Sequence, residues 1–357
     1  MRRRTLVRDA AGEAAVSGGG VSGLEATPAG RLDAFLASRG LSREQLMPLL
    51  DEPFGQPLLV AAAGSILQGV GNDRSDLDLI VVVEDKVSRM PLASYASSVL
   101  VDPAYFSVAE AGQWLPALRD AEWPPAAPVD LGRWGRHLEQ LIYATRLAFG
   151  LPLAAREGWA GWMDSFREPW LVQRVCQWWR VESVRKQLAA RWLFARRPML
   201  AAQRQLEAVL AVLECRVAAR GLHFVGPKWL AEKLGALGDR EGLAVFRDTM
   251  CCPVRESEVA AYIDRCESTR LALGGDDGAG WVASLAYLPG VDAEQRDGLT
   301  IVRRGGCRSV ALEQRPAALP GDGFPIWSGR VDERLPPSAL ALLDADLTWL
   351  SLGARGS

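Results

Sequence analysis

The chain has 357 residues, 49% of them apolar, with 41 Lys or Arg against 43 Asp or Glu, which is material for more than one ordinary core. No apolar run approaches the roughly 20 residues of a membrane span, and the basic opening MRRRTLVRDAAGEAAVSGGGVSG lacks the apolar stretch of a secretory signal. The expectation is a cytoplasmic chain with a disordered leader over 1–23 and no membrane partner. Six cysteines without Cys-x-x-Cys spacing and two histidines, His137 and His223, argue against a thiolate metal site or a disulfide framework. Without a Gly-x-Ser-x-Gly elbow a hydrolase triad has no support either.

In chain order, residues 31–50 (RLDAFLASRGLSREQLMPLL) predict two short helices, the second opened by Ser42 with Gln45 three residues on, a capping-box signature. PLLVAAAG (57–64) reads as a strand, SILQGV as the start of a helix, GNDRS as a turn and DLDLIVVVE as a second strand. MPLASYAS and SVLVDPAYFS follow as strands, with Pro103 marking an edge, and VAEAGQWLPALRD closes the unit as a helix. After the Pro-rich EWPPAAPVD (122–130), helical periodicity runs from about 131 to 273, in five helices separated by Gly or Pro breaks. GGDDGAG (274–280) is a linker, and the Gly/Pro-interrupted tail ends in PPSALALLDADLTWLSLG, which reads as a small winged-helix or capping unit. The fold class expected is α+β: a small mixed-sheet domain with N-terminal helices over 24–121, an α-helical bundle over 122–273 and a C-terminal appendage over 281–357.

The most informative stretch is AAAGSILQGVGNDRSDLDLIVVVE, residues 61–84. On an extended strand residues i and i+2 share a face, so Asp76 and Asp78 project together while Leu77 and Leu79 point to the core. Two adjacent carboxylates repel unless a cation lies between them, and Mg²⁺ takes such oxygen ligands while keeping positions for water and phosphate. Gly64-Ser65 falls where strand turns to helix. There Gly lets the backbone approach a ligand, and unpaired helix N–H groups favour an anion, although Ser65 also fits as a plain helix N-cap. Together these features predict a site for a nucleoside triphosphate and its metal.

The order strand, Gly-Ser, helix, turn, Asp-x-Asp, strand resembles the nucleotidyltransferase superfamily related to DNA polymerase beta, and AAAGSILQGVGNDRSDLDLIVV carries that pattern throughout. The resemblance implies a metal-dependent transferase that moves a nucleoside monophosphate, taken as AMP from ATP, to an acceptor with release of pyrophosphate. It implies Mg²⁺, two ions, at Asp76 and Asp78, with Gly64 and Ser65 on the nucleotide. A third acid on a neighbouring strand would serve as metal ligand or general base; Asp102 is the candidate and Glu110 the runner-up. Residues 203–234 (QRQLEAVLAVLECRVAARGLHFVGPKWLAEKL) further resemble the helical domain of aminoglycoside adenylyltransferases, which implies that Arg216 and Lys228 contact the triphosphate and that the acceptor is a small-molecule hydroxyl.

The residues give partial support of their own. Arg216 lies near the face of the stripe Leu206, Val209, Leu213 and Val217, where a charge wants an anionic partner, and Lys228 in a first helical turn opposes the helix dipole unless an anion is present. Residues 171–240 hold 13 Lys or Arg against 5 Asp or Glu, a net +8 that leaves −10 elsewhere, as though a basic bundle met an anion held on an acidic domain. Trp178, Trp179 and Trp192 are read as core before base-stacking, and Cys251-Cys252 as structural. Two alternative readings stay open: nucleotidylation of a macromolecule, protein or tRNA, and a nucleotide-binding regulatory module without turnover.

Overall fold

The computed structural model describes residues 26–46, 56–72, 74–84, 94–96, 99–120, 122–123, 125–306 and 308–354; the leader expected over 1–23 lies outside them. Helix α1 (Pro28–Ala37) begins with Thr27 accepting from the Gly30 N–H at 3.1 Å. The helix expected after Ser42 is a single 3-10 turn, Arg43–Gln45, in which the Gln45 side chain accepts from the Ser42 N–H at 2.8 Å. Strand β1 (Leu59–Ala63), the one-turn helix α2 (Ser65–Gln68), strands β2 (Leu77–Val83), β3 (Ser94–Ala96) and β4 (Val99–Ser107) and helix α3 (Val108–Arg119) then follow as anticipated.

The next elements do not divide as expected. Helix α4 (Leu131–Phe149) delivers the chain to β5 (Leu151–Ala155), which pairs antiparallel with β1 and completes a five-stranded sheet of order β3-β4-β2-β1-β5. The mixed-sheet unit therefore extends past 121, and the helical region proper begins after β5. That region holds α5 (Trp159–Asp164), α6 (Pro169–Leu193), α7 (Pro198–Ala219), α8 (Leu230–Ala236), α9 (Arg240–Met250) and α10 (Glu256–Ala272). With α4 that makes seven helices over 131–273 where periodicity predicted five: the six-residue α5 is too short to show a face, and α9, which is long enough, was not read from the sequence. Trp178 and Trp192 are buried in its core as read, and Cys251 and Cys252 are exposed free thiols.

The C-terminal unit is a correction. Strands β6 (Trp281–Tyr287), β7 (Val291–Arg296), β8 (Leu299–Arg304), β9 (Arg308–Leu312), β10 (Trp327–Arg330) and β11 (Thr348–Ala354) form two three-stranded sheets, β10-β6-β11 and β7-β8-β9, with one helix, α11 (Pro337–Asp344). A winged helix needs a helix–turn–helix, and a single helix cannot supply one.

Both faces of the five-stranded sheet are covered, which is why DLDLIVVV is apolar almost without alternation. Val60, Ala62, Leu77, Leu79 and Val81 pack against Leu32, Leu36 and Leu46 on one side. Leu59, Ala61, Ile80, Val82 and Phe106 face the other, where α3, α4 and α6 supply Trp114, Leu141 and Val175, and this core runs on without a break to Ala283 and Leu352 of the C-terminal unit. No helix among the described residues is long and apolar enough to cross a membrane.

Candidate functional site

The acids gather at one end of this sheet. Strand β2 runs parallel to β4 with Asp78 opposite Asp102, and antiparallel to β1 with Asp78 opposite Ala63. Residues directly opposite in a sheet share a face, so Asp102 joins Asp78, with Asp76 two residues before it. Pro103 is tolerated in β4 because β3 pairs only with Val99, Leu100 and Val101, leaving the Pro103 segment without a described partner on that side. Glu110 is elsewhere: its carboxylate accepts from the Ser107 N–H and Oγ at 3.1 Å, capping α3.

Gly64 closes on the acids from β1. Its φ of 84° and ψ of −168° belong to a region that only glycine enters readily, and a Cβ added there would sit 1.9 Å from Asp78 Oδ2. The turn beyond folds back on itself: the Val70 and Gly71 N–H groups donate to the Ser65 carbonyl at 3.1 and 2.8 Å. Ser65 Oγ meets Ser75 Oγ at 3.3 Å, and Ser75 Oγ accepts from the Asn72 N–H at 3.0 Å. The segment between the Gly-Ser pair and Asp76 is thus a tied loop that sets where the carboxylates begin.

Asp78 is mostly buried, its side chain 14% exposed, and Arg146 Nη1 of α4 lies 3.2 Å from its Oδ1. Burial raises its pKa, the negative charges of Asp76 and Asp102 add to the rise, and Arg146 and Lys228 oppose it. A carboxylate group that crowds its own charge in this way is a place where added positive charge is stabilised.

The far wall comes from the helices. Thr145, fully buried beside Arg146, donates to the Ile142 carbonyl at 3.0 Å and accepts from the Val225 N–H at 3.3 Å. Lys233, buried with Glu214, donates to it at 2.6 Å and to the Phe224 carbonyl at 3.0 Å. Those two anchors hold the segment leading to Lys228, whose ammonium lies 4.8 Å from the Trp229 ring centroid. The resulting cleft, about 770 Å³, is lined by Gly64, Ser65, Asp76, Asp78 and Asp102 on the sheet side and by Arg146 and Lys228, among others, on the helical side.

Six of the seven residues picked out from sequence therefore share one cleft. Arg216 does not. Its guanidinium makes a two-pronged pair with Asp239 at 2.6 and 2.9 Å and reaches Glu241 at 2.8 Å, and it lines a different cavity, beside Cys215 and Arg220. Of the cations in 171–240, only Lys228 lines the acidic cleft; Arg185, Lys186, Arg204 and Lys233 are paired with carboxylates inside the bundle. Sequence reasoning missed Arg146 and Thr145. The available signal was a basic residue in the last turn of α4, just before a strand that returns to the acids.

No three His, Cys, Asp or Glu side chains among the described residues are drawn together as a closed ligand set. The open pair fits a hard divalent cation in chemistry: all-oxygen donors, mutual repulsion, and a glycine whose missing Cβ keeps Oδ2 of Asp78 uncovered.

A family of unknown function (DUF6001) matches residues 22–135. No curated protein matches the chain. Among solved structures, a nucleotidyltransferase-like protein from Exiguobacterium sibiricum is similar at 14% identity over 67% of this chain and 77% of that one, with a TM-score of 0.37. A score that low carries no weight for the reading that follows.

Proposed function

We propose that this cleft transfers a nucleoside monophosphate from a triphosphate, ATP in the first instance, to a hydroxyl acceptor. The observation that carries the reading is the registration of Asp102 against Asp78 under a glycine that no side chain can replace without displacing the carboxylate. Asp76 and Asp78 would hold Mg²⁺, which when bound neutralises phosphate charge and polarises the phosphoryl group. The reading gives Asp102, the exposed member of the group, the role of taking the proton of the acceptor hydroxyl.

The remaining roles follow from charge. Arg146 and Lys228 face the carboxylates from the opposite wall, where the triphosphate oxygens would lie between two cations and the acids. Arg146 meets Asp78 through one nitrogen at 3.2 Å and lies 5.7 Å over the Tyr143 ring, so an arriving phosphate can take up the rest of its guanidinium fork. The acceptor oxygen forms its bond to the α-phosphorus as the bond to the β-phosphate breaks, and pyrophosphate leaves with the electron pair. The cleft volume falls within the range of small-molecule sites, which supports a small-molecule acceptor over a macromolecular one.

The test is to incubate the protein with ATP labelled in the adenosine part, Mg²⁺ and cell extract, and to ask whether label appears on small molecules, RNA or protein. Asp76→Asn and Asp78→Asn should each abolish transfer while leaving the fold intact. Activity within a few fold of wild type in either variant would refute the assignment, and label on RNA or protein would move the acceptor class.

A further inference from the structure

Cys176 of α6 and Cys215 of α7 face each other across the long helical hairpin, both half-buried and both free thiols. We infer that they form a redox-modification site, in which hydrogen peroxide oxidises Cys215 and Cys176 then closes a disulfide with it. The pairing follows from the register of the hairpin. Ser183 of α6 donates to the Ala208 carbonyl of α7 at 2.9 Å. Cys176 lies seven residues before Ser183 and Cys215 seven after Ala208, two turns away along antiparallel helices, so the same faces meet again. There the Cys176 thiol donates to the Cys215 carbonyl at 3.6 Å and hydrogen-bonds to the Cys215 sulfur.

The surroundings make the two sulfurs unequal. Cys215 opens onto a cavity of about 430 Å³ that Arg180, Arg216 and Arg220 also line. Arg216 and Arg220 share Asp239, at 2.6 and 3.2 Å, whereas Arg180 has no carboxylate partner among the described residues and hydrogen-bonds to the Cys215 sulfur. The hydrogen bond from Cys176, with the charge of Arg180 behind it, outweighs burial and lowers the Cys215 thiol to about 7, while the same contact and burial push Cys176 up. A thiolate beside a cation and open to a cavity is the nucleophile that peroxide meets. It attacks one peroxide oxygen, the O–O bond breaks, hydroxide leaves with the electron pair and takes up the proton Cys215 had released, and Cys215 becomes a sulfenic acid. Cys176 then attacks that sulfur, the S–S bond forms, and the sulfenic hydroxyl leaves with the Cys176 proton as water. Two thiols and one peroxide thus give one disulfide and two waters. The site shares no residue with the acidic cleft, so the outcome does not depend on the transfer reading.

Peptide mass spectrometry on the full chain tests this. The protein is treated at pH 7 with a small excess of hydrogen peroxide, its remaining thiols are blocked with N-ethylmaleimide, and it is digested. The peptides carrying Cys176 and Cys215 should appear joined, two hydrogens lighter than their sum, and dithiothreitol should separate them. In Cys176→Ser no resolving thiol remains, and dimedone should trap Cys215 as the sulfenic acid; in Cys215→Ser, Cys176 should stay untrapped and open to N-ethylmaleimide. The exposed Cys251 and Cys252 supply the background of unselective oxidation in the same digest. Absence of the joined peptide in wild type, oxidation of Cys251 and Cys252 before the pair closes, or dimedone on Cys176 in Cys215→Ser equal to that on Cys215 in Cys176→Ser would overturn the inference.

Discussion

Gly64→Ala is the sharpest perturbation of the acidic cleft, because its effect follows from geometry before any mechanism is assumed. The added Cβ would meet Asp78 Oδ2 at 1.9 Å, Cγ at 2.7 Å and Cβ at 3.0 Å, against an ordinary carbon contact of about 3.5 to 4 Å. The backbone conformation alone costs an L residue about 1–3 kcal/mol. Asp78 cannot back away, because β2 is paired on both sides at this residue, to Ala63 of β1 and to Asp102 of β4. Its carboxylate must rotate and give up the Arg146 contact, which at partial exposure adds up to about 1 kcal/mol. The total is about 1–4 kcal/mol, and if half or more falls on the reacting geometry the rate drops by about twofold to nearly a thousandfold. Urea denaturation would read the stability loss and label transfer from ATP the rate. Wild-type turnover together with an unchanged denaturation midpoint would show that the backbone does not press on Asp78.

Asp102→Asn should lower transfer by at least about 10²-fold if this acid accepts the hydroxyl proton, whereas Glu110→Gln should cost only cap stability, about 0.5–2 kcal/mol; parallel rate and denaturation measurements separate them. Lys228→Ala should weaken a non-hydrolysable ATP analogue by roughly 10- to 150-fold and AMP much less, by calorimetry. Arg216→Ala should leave both affinities alone and instead destabilise the fold by about 1–3 kcal/mol, since it strips a charge partner from the buried Asp239; a loss of ATP affinity with unchanged stability would return Arg216 to the site. His137 is buried, and burial, reinforced by Arg174 and Arg133, lowers its pKa to about 3. Unfolded, it protonates near 6.5, so the stability it supports is fully present above pH 6.5 and is lost as pH falls toward 3, by roughly 4–5 kcal/mol at the limit. His137→Phe, which preserves the stack on Trp123, should flatten that part of a stability–pH curve, and an unaltered curve would show that His137 is not the group responsible.

What was legible in the sequence is what local physics determines. The Gly-Ser turn and the Asp-x-Asp strand lie within 15 residues, and a period-two strand fixes which side chains share a face, whereas Asp102 was sought because the resemblance implies a third acid. The capping box of α3 was legible on the same grounds, although Glu110 was read as the runner-up third acid. What was hidden depends on where the chain returns. LPLAA (151–155) follows the break at Gly150 but carries Pro152 and too little alternation to mark a strand, and it becomes β5 by pairing with the edge of β1. Without that strand nothing in the sequence places Arg146 beside Asp78.

The misplacement of Arg216 has the same origin and explains where the basic charge of the bundle goes. A net count over 171–240 assigns +8 to the segment without regard to pairing, yet Arg216 is satisfied by Asp239 and Glu241, which begin α9 twenty-odd residues on, and Lys233 by Glu214 within the core. A helix stripe shows which face is buried but not which loop will supply the counter-charge. Glu207, Asp344 and Asp239 each serve two cations, so the excess is spread over the segment rather than gathered at the acidic cleft. Charge is conserved in such an accounting: cations that the triphosphate does not claim, and that carboxylates cover only in part, must face water or another anion.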